Sequence, residues 1–213
     1  YIKWFLIALT TIILAILATI VSLISPKFAT LTLVKIWGKL ILLISFVKLE
    51  VRGLENIKDK PIIIMYNHKS FYDIFSFASF MNIDWRAMMK KELLKIPFFG
   101  QAVKVMGHYF VARDGSFADR REVIKILKKI KNGKAIFIAP EGTRKLVSQW
   151  KTGFYHIALK ANCKILPVAF DWKKREVKIF NVFSATCNFE NDLKLLKSLF
   201  KGVEGKIPEN SKL

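Results

Sequence analysis

A long apolar stretch, from Trp4 to Ser25, opens the chain and contains no charged residue. At a rise of 1.5 Å per residue, a helix of this length would extend about 33 Å and match a hydrocarbon core of about 30 Å. The apolar region of a cleavable signal peptide is shorter, usually about 7–15 residues. We therefore expect a membrane-spanning helix in this part of the chain.

A second apolar segment, from Phe28 to Val47, follows a break at Pro26. Lys35 and Lys39 are separated by four positions, which places both on one face of a helix, and apolar side chains cover the other face. This pattern favours an amphipathic helix that lies in the membrane interface or re-enters the membrane. A second span whose lysines reach the headgroups is the alternative.

Beyond residue 50, short apolar runs alternate with segments of helical periodicity. The predicted strands are Ile62–Tyr66, Trp85–Met88, Tyr109–Val111, Ala135–Ala139, Ile165–Phe170 and Glu176–Phe180. The predicted helices are Phe71–Phe80, Phe117–Ile130, Thr152–Ala161 and Asp192–Phe200. This alternation is typical of an α/β fold, a mainly parallel sheet with flanking helices. We expect residues 1–50 to form a membrane anchor and residues 51–213 to form the α/β domain.

The composition of the chain predicts the kind of partner that it binds. Hydrophobic residues make up 53% of the chain, and 36 basic residues against 16 acidic ones give a formal net charge of +20. A chain both apolar and basic is typical of a membrane protein that meets anionic lipid or phosphate. Nucleic acid is the other usual partner of a basic chain, but it would not explain the apolar start, so we expect none. Because the first residue is Tyr and not Met, we expect a trimmed or partial chain.

The candidate chemistry lies in Asn67-His68-Lys69-Ser70-Phe71-Tyr72-Asp73, directly after the strand Ile62–Tyr66. Open α/β sheets place their chemistry at such strand ends. On one regular helix His68 and Asp73 would be about 140° apart, so we place His68 in the loop and Asp73 in the first helical turn, facing back. A carboxylate on one imidazole nitrogen would leave the other nitrogen free as a base. A purely structural hydrogen bond is the alternative reading of this pair.

Polar residues also follow other predicted strands. They are Lys90, Arg113 and the run Pro140-Glu141-Gly142-Thr143-Arg144. Guanidinium and ammonium groups at strand ends can bind a phosphate, although a solvated charge is the usual role of any one of them. Gly142 would let the backbone approach a ligand, and Glu141 would hold Arg144. The sequence contains no Gly-rich phosphate loop and no His and Cys spacing suited to zinc, so we expect no metal.

Taken in order, these motifs resemble the glycerolipid acyltransferase family. Asn67-His68 with Asp73 matches the family's signature of a His followed by an Asp five positions later. Its second, third and fourth blocks are similar to Gly107–Arg113, Pro140–Arg144 and Leu166–Val168. The resemblance covers residues 50 to 180 or so and is strongest to bacterial 1-acyl-glycerol-3-phosphate acyltransferases.

The resemblance implies transfer of a fatty acyl group from acyl-CoA or acyl-acyl carrier protein to the sn-2 hydroxyl of 1-acyl-glycerol-3-phosphate, giving phosphatidic acid. It implies His68 as the general base and Asp73 as its orienting partner. The residues that would bind the acceptor are Asn67, Lys90, Arg113, Glu141, Gly142, Thr143 and Arg144. It implies no cofactor beyond the thioester co-substrate. It also implies a location at the cell inner membrane with the catalytic domain on the cytoplasmic face.

Two positions depart from the family's pattern. Ala139 stands where Phe usually precedes the Pro, and Lys145 stands where Ser usually follows the Arg. These differences would affect the choice of acceptor or acyl chain. One alternative is an acyltransferase of the same fold that uses another lysolipid, such as a lyso-aminolipid. A separate alternative is a non-catalytic protein that binds anionic lipid through its basic face.

Overall fold

The computed structural model describes residues 1–57, 62–111, 124–128, 130 and 133–207. The chain forms two compact units. The first unit contains Tyr1–Lys48 and Tyr72–Glu122, and the second contains Leu49–Phe71 and Val123–Leu213. The predicted boundary at residue 50 between a membrane anchor and an α/β domain stays a prediction.

Seven strands and seven α-helices are assigned among the described residues. The strands are β1 (Glu50–Arg52), β2 (Ile62–Tyr66), β3 (Trp85–Lys90), β4 (Tyr109–Val111), β5 (Ala135–Ile138), β6 (Lys164–Asp171) and β7 (Glu176–Ile179). The helices are α1 (Ile2–Ile24), α2 (Pro26–Ala29), α3 (Lys35–Ile44), α4 (Asp73–Phe80), α5 (Phe99–Val105), α6 (Gly153–Ala161) and α7 (Phe189–Ser198). Residues 124–128 are also helical.

In the second unit, β2 lies between two parallel neighbours. It pairs with β5 on one side, where Met65 is opposite Ile138, and with β6 on the other, where Tyr66 is opposite Val168. β7 pairs antiparallel with β6, and β1 pairs parallel with β7. Every residue of β2 is buried, as expected for a parallel strand covered on both faces, and α6 packs against β2 and β6.

In the first unit, β3 and β4 pair in parallel, and helices α1, α3, α4 and α5 pack together. The helices α3 and α4 approach closely at Gly38, where a Cβ atom would lie 2.5 Å from the carbonyl oxygen of Phe75. Glycine is therefore required at this position, because any side chain would push the two helices apart.

Helix α1 is the one helix in the described part of the chain that is long and apolar enough to cross a membrane, with a mean hydropathy of 2.7 over its most apolar window. Only 22% of that window is buried. Its buried residues lie along one stripe of the helix: Ile7, Ala15, Ala18 and Ser22. The second apolar segment is helical from Pro26 to Ile44, with a π-helical stretch at Thr30–Val34. Its interfacial or re-entrant position stays a prediction.

The mainly parallel α/β architecture predicted from the sequence is confirmed. The strands β2 and β4 have the predicted bounds, whereas the helix expected from Phe71 begins at Asp73. The strand β1 was not predicted, because its three residues contain no apolar run. Most of the predicted helix Phe117–Ile130 lies outside the described residues.

Candidate active site

Two loops leave the sheet side by side, at the carboxyl ends of β2 and β5. Because Met65 pairs with Ile138, His68 and Glu141 each lie three residues beyond the last paired position. The backbone N–H of His68 donates to Oε2 of Glu141 over 2.8 Å. The Nζ of Lys69 lies 3.1 Å from the other oxygen, Oε1, and the side chains of Lys69 and Glu141 are 3% and 0% exposed. One buried carboxylate therefore ties the candidate catalytic loop to the loop after β5.

The charge on Glu141 is held in a low-dielectric environment. Burial raises the pKa of Glu141 above its ordinary value of 4.5, while the Lys69 ammonium and the His68 N–H offset part of that effect. Lys69 was not among the predicted site residues. Its position next to His68 was the only signal for it in the sequence, and nothing there showed that its side chain points inward.

Asn67 completes the hydrogen bonding of β6 where β2 ends. Its Nδ2 donates to the carbonyl oxygen of Phe170 over 3.0 Å, and its Oδ1 accepts from the Phe170 N–H over 2.7 Å. The register of β2 and β6 would bring residue 68 to this position if β2 continued. The Asn67 side chain thus supplies the donor and the acceptor for the Phe170 backbone beyond the last paired residue of β2. The predicted contact of Asn67 with the acceptor stays a prediction.

His68 is half-buried, and its ring meets the edge of the Tyr66 ring with 5.6 Å between centroids. Tyr66 is itself stacked on Phe137, with 3.8 Å between centroids and an interplanar angle of 2°. The imidazole thus packs against a stacked aromatic pair while part of its surface remains accessible. A partly accessible imidazole on a fixed loop suits a general base.

Asp73, the predicted partner of His68, is the first residue of α4 and is fully buried. The positive end of a helix dipole at this position favours a carboxylate. Asp73 belongs to the first unit and His68 to the second. Their interaction as a catalytic dyad stays a prediction.

The predicted acceptor-binding residues differ in exposure. Gly142 has a φ of +64° and its N–H donates to the Ala139 carbonyl, so a left-handed residue closes this turn. Thr143 is half-buried, and its Oγ1 accepts from the Lys145 N–H over 3.3 Å. Arg144 is exposed, as is Lys90 at the end of β3 in the first unit. Arg113 lies outside the described residues.

No metal site is formed within the described part of the chain, where no group of three or more His, Cys, Asp and Glu side chains is arranged to hold an ion. His108 has a structural role, since it is buried and its Nδ1 accepts the Ala87 N–H over 2.9 Å.

Known proteins share both the sequence pattern and the fold. The model of the family described as Acyltransferase matches residues 48–171. The 1-acyl-sn-glycerol-3-phosphate acyltransferase of Saccharomyces cerevisiae is 34% identical over 129 residues, 56% of this chain and 41% of the yeast protein. The Borreliella burgdorferi protein of the same name is 35% identical over 134 residues, 61% of this chain and 54% of the relative. The chain thus spans about half the length of the curated relatives it matches.

A solved structure has the same fold. The crystal structure of the 1-acyl-sn-glycerophosphate acyltransferase of Thermotoga maritima superposes with a TM-score of 0.73 at 23% identity, covering 93% of this chain and 90% of the other. The family model spans the His68 loop, the Glu141 loop and the strands that carry them. Because it covers more than half of the sequence, the chain belongs to the acyltransferase family.

Proposed function

We propose that this protein transfers a fatty acyl group from acyl-CoA or acyl-acyl carrier protein to the sn-2 hydroxyl of 1-acyl-glycerol-3-phosphate, giving phosphatidic acid. The supporting observation is that relatives from yeast, Pseudomonas aeruginosa and Borreliella burgdorferi carry the name of this activity. The segment that matches the family holds both loops of the candidate site.

In the proposed reaction His68 acts as the general base. Its imidazole takes the proton of the acceptor hydroxyl while that oxygen attacks the thioester carbonyl carbon. Collapse of the tetrahedral intermediate breaks the C–S bond, and the departing thiolate takes the proton from the imidazolium to leave as a thiol. Asp73 would orient the imidazole and stabilise its charged form. The bond from the His68 N–H to Glu141 supports this role, because it fixes the backbone of the base.

The acceptor carries a phosphate, which suits the cations that follow predicted strands in the sequence. We assign the phosphoglycerol group to Arg144, Lys90 and Arg113, with Gly142 and Thr143 shaping the loop. Acceptor and product both partition into the bilayer, so we place the enzyme at the cell inner membrane with the site on the cytoplasmic face. The apolar helix α1 supports membrane attachment.

The test is an acyl-transfer assay with membranes that carry the native chain or His68→Ala. Each is incubated with lysophosphatidic acid and either labelled acyl-CoA or labelled acyl-acyl carrier protein. We expect labelled phosphatidic acid from the native chain and at least a ~1,000-fold slower rate from the variant. Equal rates would remove His68 as the base. Product formed from another lysolipid but not from lysophosphatidic acid would overturn the proposed acceptor.

The acceptor site has a separate test. Replacing Arg144 by Ala should raise the KM for lysophosphatidic acid about tenfold with little change in kcat, because a charged contact made equally in the ground and transition states is lost. The control is Lys160→Ala, which removes an exposed charge from α6. An unchanged KM in Arg144→Ala would exclude Arg144 from the phosphate site.

A further inference from the structure

The mechanism above leaves one buried charge in the site unused. Lys69 follows the proposed base directly, yet its side chain is 3% exposed. Removing an ammonium group from water is costly, and its attraction to a carboxylate offsets that cost only in good geometry. A buried lysine in this position therefore needs an explanation.

Direct contact with substrate does not explain it. An ammonium that is almost completely covered has no surface with which to bind a lipid phosphate. Its described partner is Oε1 of Glu141, at 3.1 Å. The other oxygen of the same carboxylate accepts the His68 N–H at 2.8 Å. The two oxygens of Glu141 therefore serve two successive residues of the candidate catalytic loop.

We propose that Lys69 is a positioning residue for His68 and that it acts through Glu141. A carboxylate is planar, so a cation that fixes Oε1 also fixes the direction in which Oε2 faces. With Lys69 in place, Oε2 is held where it meets the His68 N–H. This assigns Glu141 to the catalytic loop and not to the acceptor, and it rests on the proposed function only in naming His68 as the base.

The neighbouring contacts support this assignment. The Asn67 amide is bonded at both ends to Phe170, which fixes the residue before His68. Glu141 fixes both the Lys69 side chain, in the residue after His68, and the N–H of His68 itself. The proposed base is thus held on both sides. Asn67, before it, is bonded to the strand β6, and Lys69, after it, contacts Glu141 in the loop that follows β5. A displacement of about 1 Å in a catalytic group can lower a rate by about 100-fold, so this restraint bears on catalysis.

The kinetic test is Lys69→Met, which keeps the length and apolar stem of the side chain and removes its charge. We expect kcat to fall at least tenfold while the KM for lysophosphatidic acid stays within twofold of native. The matched control is Lys160→Met, in which an exposed lysine is lost, and it should change neither constant. A folded Lys69→Met variant with native kcat would overturn the proposal.

A double variant separates positioning from simple adhesion between loops. Lys69→Met combined with Glu141→Gln removes both buried charges, so neither is left unpaired in the interior, and Gln keeps an oxygen that can accept the His68 N–H. We expect the double variant to unfold at the same midpoint denaturant concentration as the native chain, while its kcat remains at least tenfold below the native value. If kcat recovered fully together with stability, the pair would be adhesive only and the proposal would be wrong.

A third readout does not depend on activity. Amide hydrogen exchange followed by mass spectrometry on a peptide covering residues 65–71 reports whether the His68 N–H is protected, because His68 is then beyond the first two residues, whose label is lost. We expect exchange in this peptide at least tenfold faster in Lys69→Met and unchanged in Lys160→Met. Unchanged protection in Lys69→Met would overturn the proposal. If the native chain transferred no acyl group to any acceptor, the proposed function would fail while this measurement still decided the role of Lys69.

Discussion

Two of the carboxylates that are buried in the second unit, Asp192 and Glu141, are stabilised in different ways. Asp192 accepts three hydrogen bonds from neutral donors: the Tyr155 hydroxyl at 2.7 Å, the Thr186 N–H at 2.7 Å and the Thr186 hydroxyl at 2.8 Å. Glu141 accepts one described N–H and faces one ammonium. Asp192 braces α6 and α7 against the segment at Thr186, whereas Glu141 braces the two loops of the candidate site.

The pKa values of these two groups shift in opposite directions. Burial alone would raise the pKa of Asp192, but the three donors outweigh it and lower that pKa below its ordinary 3.8. At Glu141 burial outweighs the opposing contributions, and the pKa is raised. Burial and the bond to Asp192 raise the pKa of Tyr155 to about 12, so its hydroxyl remains a donor. The charge of Asp192 is thus stabilised by neutral donors alone. The Lys69–Glu141 contact depends on the charge of both side chains.

The largest effect is expected from Glu141→Ala. This change removes the acceptor of the His68 N–H and leaves the Lys69 ammonium without its carboxylate. We expect the free energy of unfolding to fall by about 3–5 kcal/mol and acyl transfer by at least about 100-fold. Denaturant unfolding in detergent micelles and the labelled-acyl assay measure the two quantities. A variant with native rate and native stability would show that this carboxylate braces nothing.

The second effect concerns stability alone. Asp192→Ala leaves the Tyr155 hydroxyl and the Thr186 N–H without their acceptor, which should lower the free energy of unfolding by about 3 kcal/mol. Because the brace joins helices and not the candidate loops, kcat of the folded variant should stay within twofold of native. The same two assays apply, and a kcat loss as large as that of Glu141→Ala would contradict the contrast between the two carboxylates.

A smaller change isolates one of the three donors. Tyr155→Phe removes the hydroxyl that bonds to Asp192 and keeps the ring, which packs against Phe189 with 5.2 Å between centroids. We expect a loss of about 1.5 kcal/mol in the free energy of unfolding, the usual contribution of a hydrogen bond to a charged group. A loss equal to that of Asp192→Ala would mean that the Thr186 bonds contribute nothing.

The smallest effect is a pair of opposite slopes with pH. A lowered pKa contributes stability above the unfolded value of 3.8 that is lost as the pH falls, so the advantage of native over Asp192→Asn should shrink in acid. A raised pKa means that Glu141 keeps its proton to a higher pH in the folded state than in the unfolded chain. The stability of native relative to Glu141→Gln should therefore decline as the pH rises above 4.5.

Unfolding curves at several pH values between about 3 and 7 check both slopes. Slopes of the same sign for the two variants would show that burial controls both carboxylates equally.

Much of the fold is predictable because buried parallel strands are continuous apolar runs. The strand β2 has five apolar residues and no alternation, and its bounds follow directly from the sequence. The strand β1 escapes prediction because Glu50-Val51-Arg52 has one half-buried apolar residue between two exposed charges. Its pairing with β7, more than 100 residues later, is a tertiary property without a local signal.

The candidate site is only partly predictable for a similar reason. The strand end identifies the position of His68, but the partner of Glu141 depends on which strands are neighbours. From the sequence Arg144 is the natural partner of Glu141, three residues away. The pairing of β2 with β5 instead brings Lys69 and the His68 N–H to that carboxylate, and Arg144 remains exposed.

The amide of Asn67 also bears on the chemical ageing of the chain. Deamidation of an Asn requires the next backbone nitrogen to attack the side-chain Cγ and expel ammonia. Here that nitrogen belongs to His68, whose N–H is donated to Glu141, and the amide under attack is bonded at both ends to Phe170. The contacts that position the proposed base therefore also hold apart the two groups that would form the cyclic imide. Deamidation would place an oxygen against the Phe170 carbonyl, so the folded loop protects the atoms on which its own geometry depends.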